Sequence, residues 1–390
     1  MTLVVVGAYR VTPVPWAAGH FWMYAQYLDG LRRFGCDVWW LEELPAGAGT
    51  ATDEVRTETL RERLRPFGLA DRILLYRWGD DPGAQEPTYL TSSARRAEQV
   101  LTRAELLLNF HYEMRPALLA RFRRTALVDI DPGMLQLWWR QGHLRIHQHD
   151  RYFTIGERLD DSVPGVTWTH TAPAVSLALW PCRYEPASEA FTSVSSWRTG
   201  AYVDLDGDGT MLDSNKRVSY LELADLPRRA GQRLELASVL GPGEEEDRSL
   251  LEDRGWRVRD STVAVRTPEA YQHYIQRSRG ELGCAKPAYR LLGNAWLSDR
   301  TVCYLATGKP AVVQDTGASA YLPDGCGLLR FSTVDEAAAA LAEVDAHYER
   351  HCRAAREIAE ACFAATDAVT RILRRALDGQ SVGPARPAAT

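Results

Sequence analysis

Residues 298–317 read SDRTVCYLATGKPAVVQDTG. A half-apolar helix ends in A-T-G-K-P, runs straight into the strand PAVVQD and stops at Asp-Thr-Gly. Ser298 is a natural N-cap, with Asp299 and Arg300 in the first turn. Gly308 stops the helix, and Pro310 opens the strand. Packing alone does not require Ser-Asp-Arg at one end and Gln-Asp-Thr-Gly at the other. Those polar groups fall where helix N-termini and strand C-termini point in an α/β sheet, the edge at which such proteins bind ligands.

Outward from this stretch the same alternation recurs. In the first half, LVVVGAY (3–9), CDVWWLE (36–42), RILLYRW (72–78), LLLNFH (106–111), TALVDID (125–131) and DRYFTIGE (150–157) read as strands. A helix is expected from about Ala17 to Phe34, closed by Gly35. In the second half, FTSVSSW (191–197), LELASVLG (234–241), WRVRD (256–260), GELGCA (280–285), PAVVQD (310–315) and GLLRFS (327–332) are strands. Helices are expected over 215–231, over 267–280 with Thr267 as cap and Pro268 in the first turn, and over 298–307. Residues 334–377 form a long alanine-rich helical tail. Alternation of this kind predicts an α/β fold of two Rossmann-like, doubly wound domains facing a cleft. The expected divisions are 1–175, a linker at 176–190 within the Pro- and Trp-containing APAVSLALWPCRYEPASEA, 191–365, and 366–390 as a C-terminal helix and tail.

The bulk properties narrow the partners. The 390 residues carry a net charge of −5 with arginine spread along the chain, which argues against a nucleic-acid groove or an anionic membrane surface. MTLVVVGAYR has no basic n-region, and no run approaches the ~18 apolar residues of a membrane span. The seven cysteines are scattered without a C-x-x-C pair, so neither a disulfide framework nor a zinc site is expected, and the compartment expected is the reducing cytoplasm. Lysine occurs only at 216, 286 and 309. In a chain that uses arginine for surface charge, a compact ammonium suits a specific anionic contact. Lys216, at a helix start, and Lys286, one residue past a short strand, are the phosphate candidates, whereas Lys309 fills a turn.

Other candidates lie at strand ends. The helix N-terminus at Ser298 is a seat for a phosphate, and Asp299 can reach a sugar hydroxyl beside it. Asp315, leaving its strand with Thr316 and Gly317, can accept hydrogen bonds from a second sugar ring. Asp129 and Asp131 in VDIDPG end a strand at the same edge, as base, as partner of His20, or as turn caps. His111, Glu113 and Glu157 end neighbouring strands. DLDGDG (204–209) has the Asp spacing of a calcium loop, but Asn215 stands at its twelfth position, so a loop leading to Lys216 is favoured. His143, His147 and His149 have ligand-like spacing without a completing carboxylate and read as a surface cluster.

Residues 278–333, SRGELGCAKPAYRLLGNAWLSDRTVCYLATGKPAVVQDTGASAYLPDGCGLLRFST, resemble the donor-binding half of GT-B glycosyltransferases. There a helix ending A-x-G-x-P follows the loop that contacts the nucleotide diphosphate, and the next strand delivers sugar-contacting residues. The resemblance implies that Asn294 to Thr301 hold the diphosphate, and that Asp315 with Thr316 meets the sugar. It also implies that His20, in the loop after the first strand, takes the acceptor proton. The second acid of retaining members would fall near Cys303, and N-A-W-L-S-D stands where plant-type inverting members have H-C-G-W-N-S, so the stereochemistry stays open. The function implied is sugar transfer from a nucleotide-diphosphate sugar to an acceptor hydroxyl, independent of metal and of other cofactors. A nucleotide-sugar epimerase and a non-catalytic sugar-binding scaffold are the alternatives. The partners expected are the nucleotide sugar and a small-molecule or glycan acceptor, a natural product among the candidates. A homodimer is left open; no nucleic acid and no membrane span is expected. Phe21, Trp22, Tyr24 and Tyr27 suit either an aromatic acceptor or a core stripe.

Overall fold

The computed structural model describes residues 1–45, 49–81, 83–158 and 163–377. The first domain is built on β1 (Leu3–Ala8), β2 (Asp37–Glu43), β3 (Ile73–Arg77), β4 (Thr88–Tyr89), β5 (Leu106–Asn109), β6 (Thr125–Asp129), β7 (Arg151–Thr154) and β8 (Trp168–His170). Their order is β4-β3-β2-β1-β5-β6-β7-β8, parallel throughout except for the edge strand β4. Around them run α1 (Ala18–Arg33), α2 (Thr50–Leu64), α3 (Ala94–Arg103), α4 (Pro116–Leu119) and α5 (Met134–Arg140). Val4, Val5 and Val6 of β1 are all fully buried, as a strand covered on both faces requires.

The second sheet contains β9 (Ala190–Val194), followed by a small antiparallel hairpin, β10 (Tyr202–Val203) and β11 (Leu212–Asp213). It continues with β12 (Arg233–Ser238), β13 (Arg257–Asp260), β14 (Gly280–Gly283), β15 (Ala311–Gln314) and β16 (Leu328–Phe331). The order β13-β12-β9-β14-β15-β16 is parallel throughout. The single helix expected over 215–231 is two, α6 (Lys216–Glu222) and α7 (Leu226–Ala230), because Pro227 cannot continue the first and instead starts the second. Then come α8 (Glu245–Asp253), α9 (Ser261–Ala264), α10 (Pro268–Gln276), α11 (Pro287–Leu292) and α12 (Asp299–Ala306). The tail is three helices, α13 (Val334–Ala346), α14 (Tyr348–Cys362) and α15 (Ala365–Leu377). The stretch 378–390, expected as the end of the tail, lies outside the described residues.

The chain crosses between the sheets twice, side by side. Val175 donates to the Phe363 carbonyl at 2.8 Å and accepts from the Ala365 amide at 2.9 Å. α15 thus returns to the first domain and packs on α1, where a Cβ on Gly30 would sit 2.8 Å from the Ala365 carbonyl oxygen. The aromatic stripe of α1 is core: Phe21, Trp22, Tyr24 and Tyr27 are buried, in one cluster with Tyr271, Ile275, Val302 and Cys303 of the second domain. That corrects the acceptor-surface reading of these four rings. A helix apolar on nearly every face must be covered all round. α1 forms a hydrophobic seal at the back of the domains and leaves its N-terminus at their front.

Candidate active site

Each sheet reverses its winding once, between β1 and β5 in the first and between β9 and β14 in the second. Ligands of open α/β sheets bind outside the carboxyl ends of the strands at such a point. A cavity of about 930 Å³ lies where the two points face each other. Its walls are Val14, Trp16–His20 and Asp131 of the first domain, against Val194–Thr199, Val239, Pro242, Glu244, Val265, Tyr271, Asp299 and Arg300 of the second. A smaller hollow of about 320 Å³, lined by Asp37, Trp39, Arg72 and Arg96, sits at the opposite edge of the first sheet.

His20 stands in the first turn of α1, its Nε2 2.7 Å from the Tyr9 carbonyl. A carbonyl only accepts, so Nε2 carries a proton, and the tautomer this bond selects for the uncharged ring has its lone pair on Nδ1. Gly19 permits this placement, since a Cβ there would meet the Tyr271 ring at 3.0 Å. The loop before α1 is clamped by Glu42, fully buried in β2, which accepts from the Val11 and Thr12 amides at 2.7 and 2.8 Å and from Thr12 Oγ1 at 2.6 Å. Burial pushes the Glu42 carboxyl upward against those hydrogen bonds. Sequence reasoning missed Glu42, because it lies inside an otherwise apolar strand.

The two aspartates of VDIDPG part company. Asp129 is fully buried and accepts from the Asp131 amide at 2.8 Å, Gln136 Nε2 at 2.9 Å and Thr154 Oγ1 at 2.8 Å. Burial, with the Asp131 charge nearby, pushes its carboxyl up to about 7 despite these bonds. It fastens the turn and has no face on the cavity. Asp131 lines the cavity. Its Oδ2 accepts from Tyr112 at 3.1 Å, and its Oδ1 from Tyr289 of the second domain at 2.8 Å.

Opposite, Ser298 caps α12 as expected, its Oγ accepting from the Arg300 amide at 3.2 Å. Asp299 and Arg300 both face the cavity. Arg300 is buried and pairs with fully buried Glu281, Nε to Oε1 2.7 Å, and donates to the Val194 carbonyl at 2.6 Å. Burial works against its charge, but the Glu281 carboxylate holds the guanidinium firmly protonated. Lys216 and Lys286 are not in the cavity lining and stand over an aromatic pair. Tyr289 and Trp296 stack at 4.6 Å and 13°, with Lys216 Nζ 5.7 Å from the Trp296 centroid and Lys286 Nζ 5.9 Å from that of Tyr289. Burial, then the Arg300 and Lys286 charges, push the Lys216 ammonium down to about 7. Among the described residues no carboxylate pairs with it. Arg198, hydrogen-bonded through Nε to Glu244 Oε1, completes the wall. In a chain this rich in arginine, nothing in the sequence singled it out.

The Asp-Thr-Gly that ends β15 braces the neighbouring loop and lies outside the lining of the large cavity. Thr316 Oγ1 donates to the Trp296 carbonyl at 2.6 Å, and the Ala295 amide donates to the Thr316 carbonyl at 2.8 Å. Gly317 has φ +110°, and a Cβ on it would lie 2.4 Å from the Gly293 oxygen. Asp315 accepts from the Gly317 amide at 2.9 Å and lines a separate hollow of about 330 Å³. Asn294, expected at the diphosphate, is buried and spans the domains instead: Nδ2 donates to the Pro132 carbonyl, Oδ1 accepts from the Trp296 amide at 3.1 Å, and its carbonyl accepts from the Glu157 amide at 3.1 Å. These contacts fix the loop 293–297 that delivers α12.

The remaining candidates fall elsewhere. His143 is exposed, His147 half-buried and His149 buried, bonded to Asn109 at 2.9 Å, so the trio is not one surface cluster. In DLDGDG, Asp204 accepts from the Gly207 and Gly209 amides at 2.7 and 2.8 Å, closing the hairpin that leads to Lys216. No group of three His, Cys, Asp or Glu that could hold a metal is found among the described residues. His111 stacks on Tyr9 at 4.7 Å, and burial pushes its ring down to about 4. Glu113 accepts from the Arg145 amide at 3.4 Å, and Glu157 Oε2 from the Ala320 amide at 2.6 Å. Lys309 does more than fill a turn: it is fully buried, with no hydrogen bond to its Nζ among the described residues. No helix among the described residues is long and apolar enough to cross a membrane.

By sequence, no protein-family model and no curated protein matches the chain. By structure it is similar over nearly its whole length to glycosyltransferases. An alpha-glucosyltransferase in complex with UDP and a 13-mer DNA superposes with TM-score 0.59 at 10% identity, covering 96% of this chain and 99% of the other. Anabaena HepE, in complex with UDP and glucose, gives 0.53 at 10%, covering 96% and 99%. AviGT4, a glycosyltransferase involved in avilamycin A biosynthesis, gives 0.54 at 14%, covering 97% and 99%. The chain has the GT-B fold, two doubly wound domains about a cleft with a C-terminal helical segment.

Proposed function

We propose that the protein transfers a sugar from a nucleotide-diphosphate sugar to a hydroxyl of an acceptor held by the first domain. The observation that carries this reading is the shared cavity, in which His20 and Asp131 of one domain face Asp299 and Arg300 of the other. The transfer needs three things there. The departing diphosphate needs positive charge, which Arg300, Lys216, Lys286 and the N-terminal end of α12 supply. These are the reason to expect activity without a resident metal. The sugar needs a hydroxyl partner, a role for Asp299. The acceptor hydroxyl needs a base, and His20 Nδ1 has the free lone pair. As the acceptor oxygen bonds to the sugar's anomeric carbon, the bond to the phosphate oxygen breaks. Its electron pair leaves with the nucleotide diphosphate, and the acceptor proton passes to His20. Asp131 orients the acceptor hydroxyl. Val239, Pro242 and Val265 give one arm of the cavity the apolar walls that suit a nucleobase.

The shared fold of the UDP-bound neighbours supports this reading. Thermal-shift measurements against a panel of nucleotide sugars test it: at least one should raise the melting temperature, and turnover of that donor should survive dialysis against EDTA. A flat panel overturns the donor reading; activity silenced by chelation and restored by magnesium or manganese overturns metal independence alone.

A further inference from the structure

Several side chains cross from one domain to the other, including Trp22 to the Pro268 carbonyl, Gln26 to Cys303 and Asn294 to Pro132. The bond from Tyr289 to Asp131 differs from these in ending on a carboxylate that lines the cavity. We propose that Tyr289 is a positioning residue for Asp131: a hydroxyl from the donor-side domain holds the acceptor-side carboxylate in its working pose. The inference rests on the proposed function, since it takes Asp131 to meet the acceptor.

The geometry is specific. Asp131 has one tyrosine hydroxyl on each oxygen, Tyr112 at 3.1 Å on Oδ2 and Tyr289 at 2.8 Å on Oδ1. Two donors from opposite sides stop the carboxylate from rotating, while each oxygen keeps a lone pair for the acceptor. Tyr112 belongs to the same domain as Asp131, and its oxygen also accepts from the Ile130 amide at 3.1 Å, so it serves the local turn. Tyr289 is buried and gripped by Trp296 at 4.6 Å, and the two lysines stand over that pair. The carboxylate is therefore fixed by the same aromatic pair against which the phosphate-side cations are set. Misplacing a reacting group by an ångström costs up to about a hundredfold in rate.

Tyr289→Phe keeps the ring, the stack and the volume and removes only the hydroxyl. It should lower kcat about tenfold while leaving KM and Kd for the donor and the melting temperature unchanged. In an Asp131→Asn background it should have no further effect, because both changes remove one unit. A merely structural role would instead lower the melting temperature and add to the Asp131→Asn loss. Full turnover in Tyr289→Phe, or additivity of the two changes, overturns the proposal. Crystal structures of the wild type and Tyr289→Phe judge it apart from any activity. The Asp131 side chain should leave its place in the variant, and an unmoved carboxylate sinks the proposal even where the wild type proves a transferase. A wild type that binds no nucleotide sugar, with Asp131 displaced in the variant, instead overturns the proposed function and leaves the positioning role supported.

Discussion

At the residue scale, the phosphate contact proposed for Lys216 predicts a change in proton binding. Its ammonium is buried beside Arg300 and Lys286, and these together push it down to about 7. A bound diphosphate favours the charged form and raises that value. Between the two values the complex holds a proton that the free protein has released. Binding of UDP or another nucleoside diphosphate should therefore take up close to one proton at pH 8, and affinity should fall as pH rises above about 7. Calorimetry in two buffers of different ionisation heat reads the uptake, which should vanish in Lys216→Met; an equal uptake in that variant would assign the proton to another group. The sequence pointed to Lys216 by rarity, since only three lysines occur in the chain. It could not separate Asp129 from Asp131, because two residues apart in a strand share a face. Only the end of β6 at Asp129 turns the second into the cavity and leaves the first to the turn. Arg198 and Glu42 were illegible for opposite reasons, one lost among many arginines and the other hidden in an apolar strand.

At the scale of elements, the stretch that decides the fold also supports the site, in a way its motif did not reveal. The helix, its cap and the strand were legible from local chemistry: Ser298 before the apolar turn, Gly308 and Pro310 after it. The role of Asp-Thr-Gly was not, because its partners at 293–296 are brought to it by tertiary structure. Position 317 needs φ +110° and a bare Cα against the Gly293 backbone. Gly317→Ala should destabilise the protein by more than about 1 kcal/mol and weaken donor binding through the displaced loop, although residue 317 does not line the cavity. Denaturant melts and donor titrations check both effects; an unchanged variant would show that the loop does not depend on the brace. The stripe on α1 carries a related lesson. Four aromatic residues within seven positions fit an acceptor surface or a core equally well until α10, α12 and α15 are seen to cover them.

At the scale of the whole molecule, two doubly wound sheets were legible because alternation of strand and helix leaves few other topologies. The facing of their switch points was not, since it depends on the paired crossings at Val175 and Ala364 and on α15 lying against α1. That arrangement makes one chemical site from two half-sites, and the central claim is that proton removal belongs to the first half and donor binding to the second. The most direct test is single-turnover release of nucleoside diphosphate from the nucleotide sugar that the wild type binds, compared in wild type and His20→Ala beside the donor Kd of each. The account expects release slower by about 10²–10⁴ in the variant with the donor Kd unchanged, the loss that follows removal of a general base. Release at the wild-type rate, or a donor Kd that weakens in step with the rate, would contradict it.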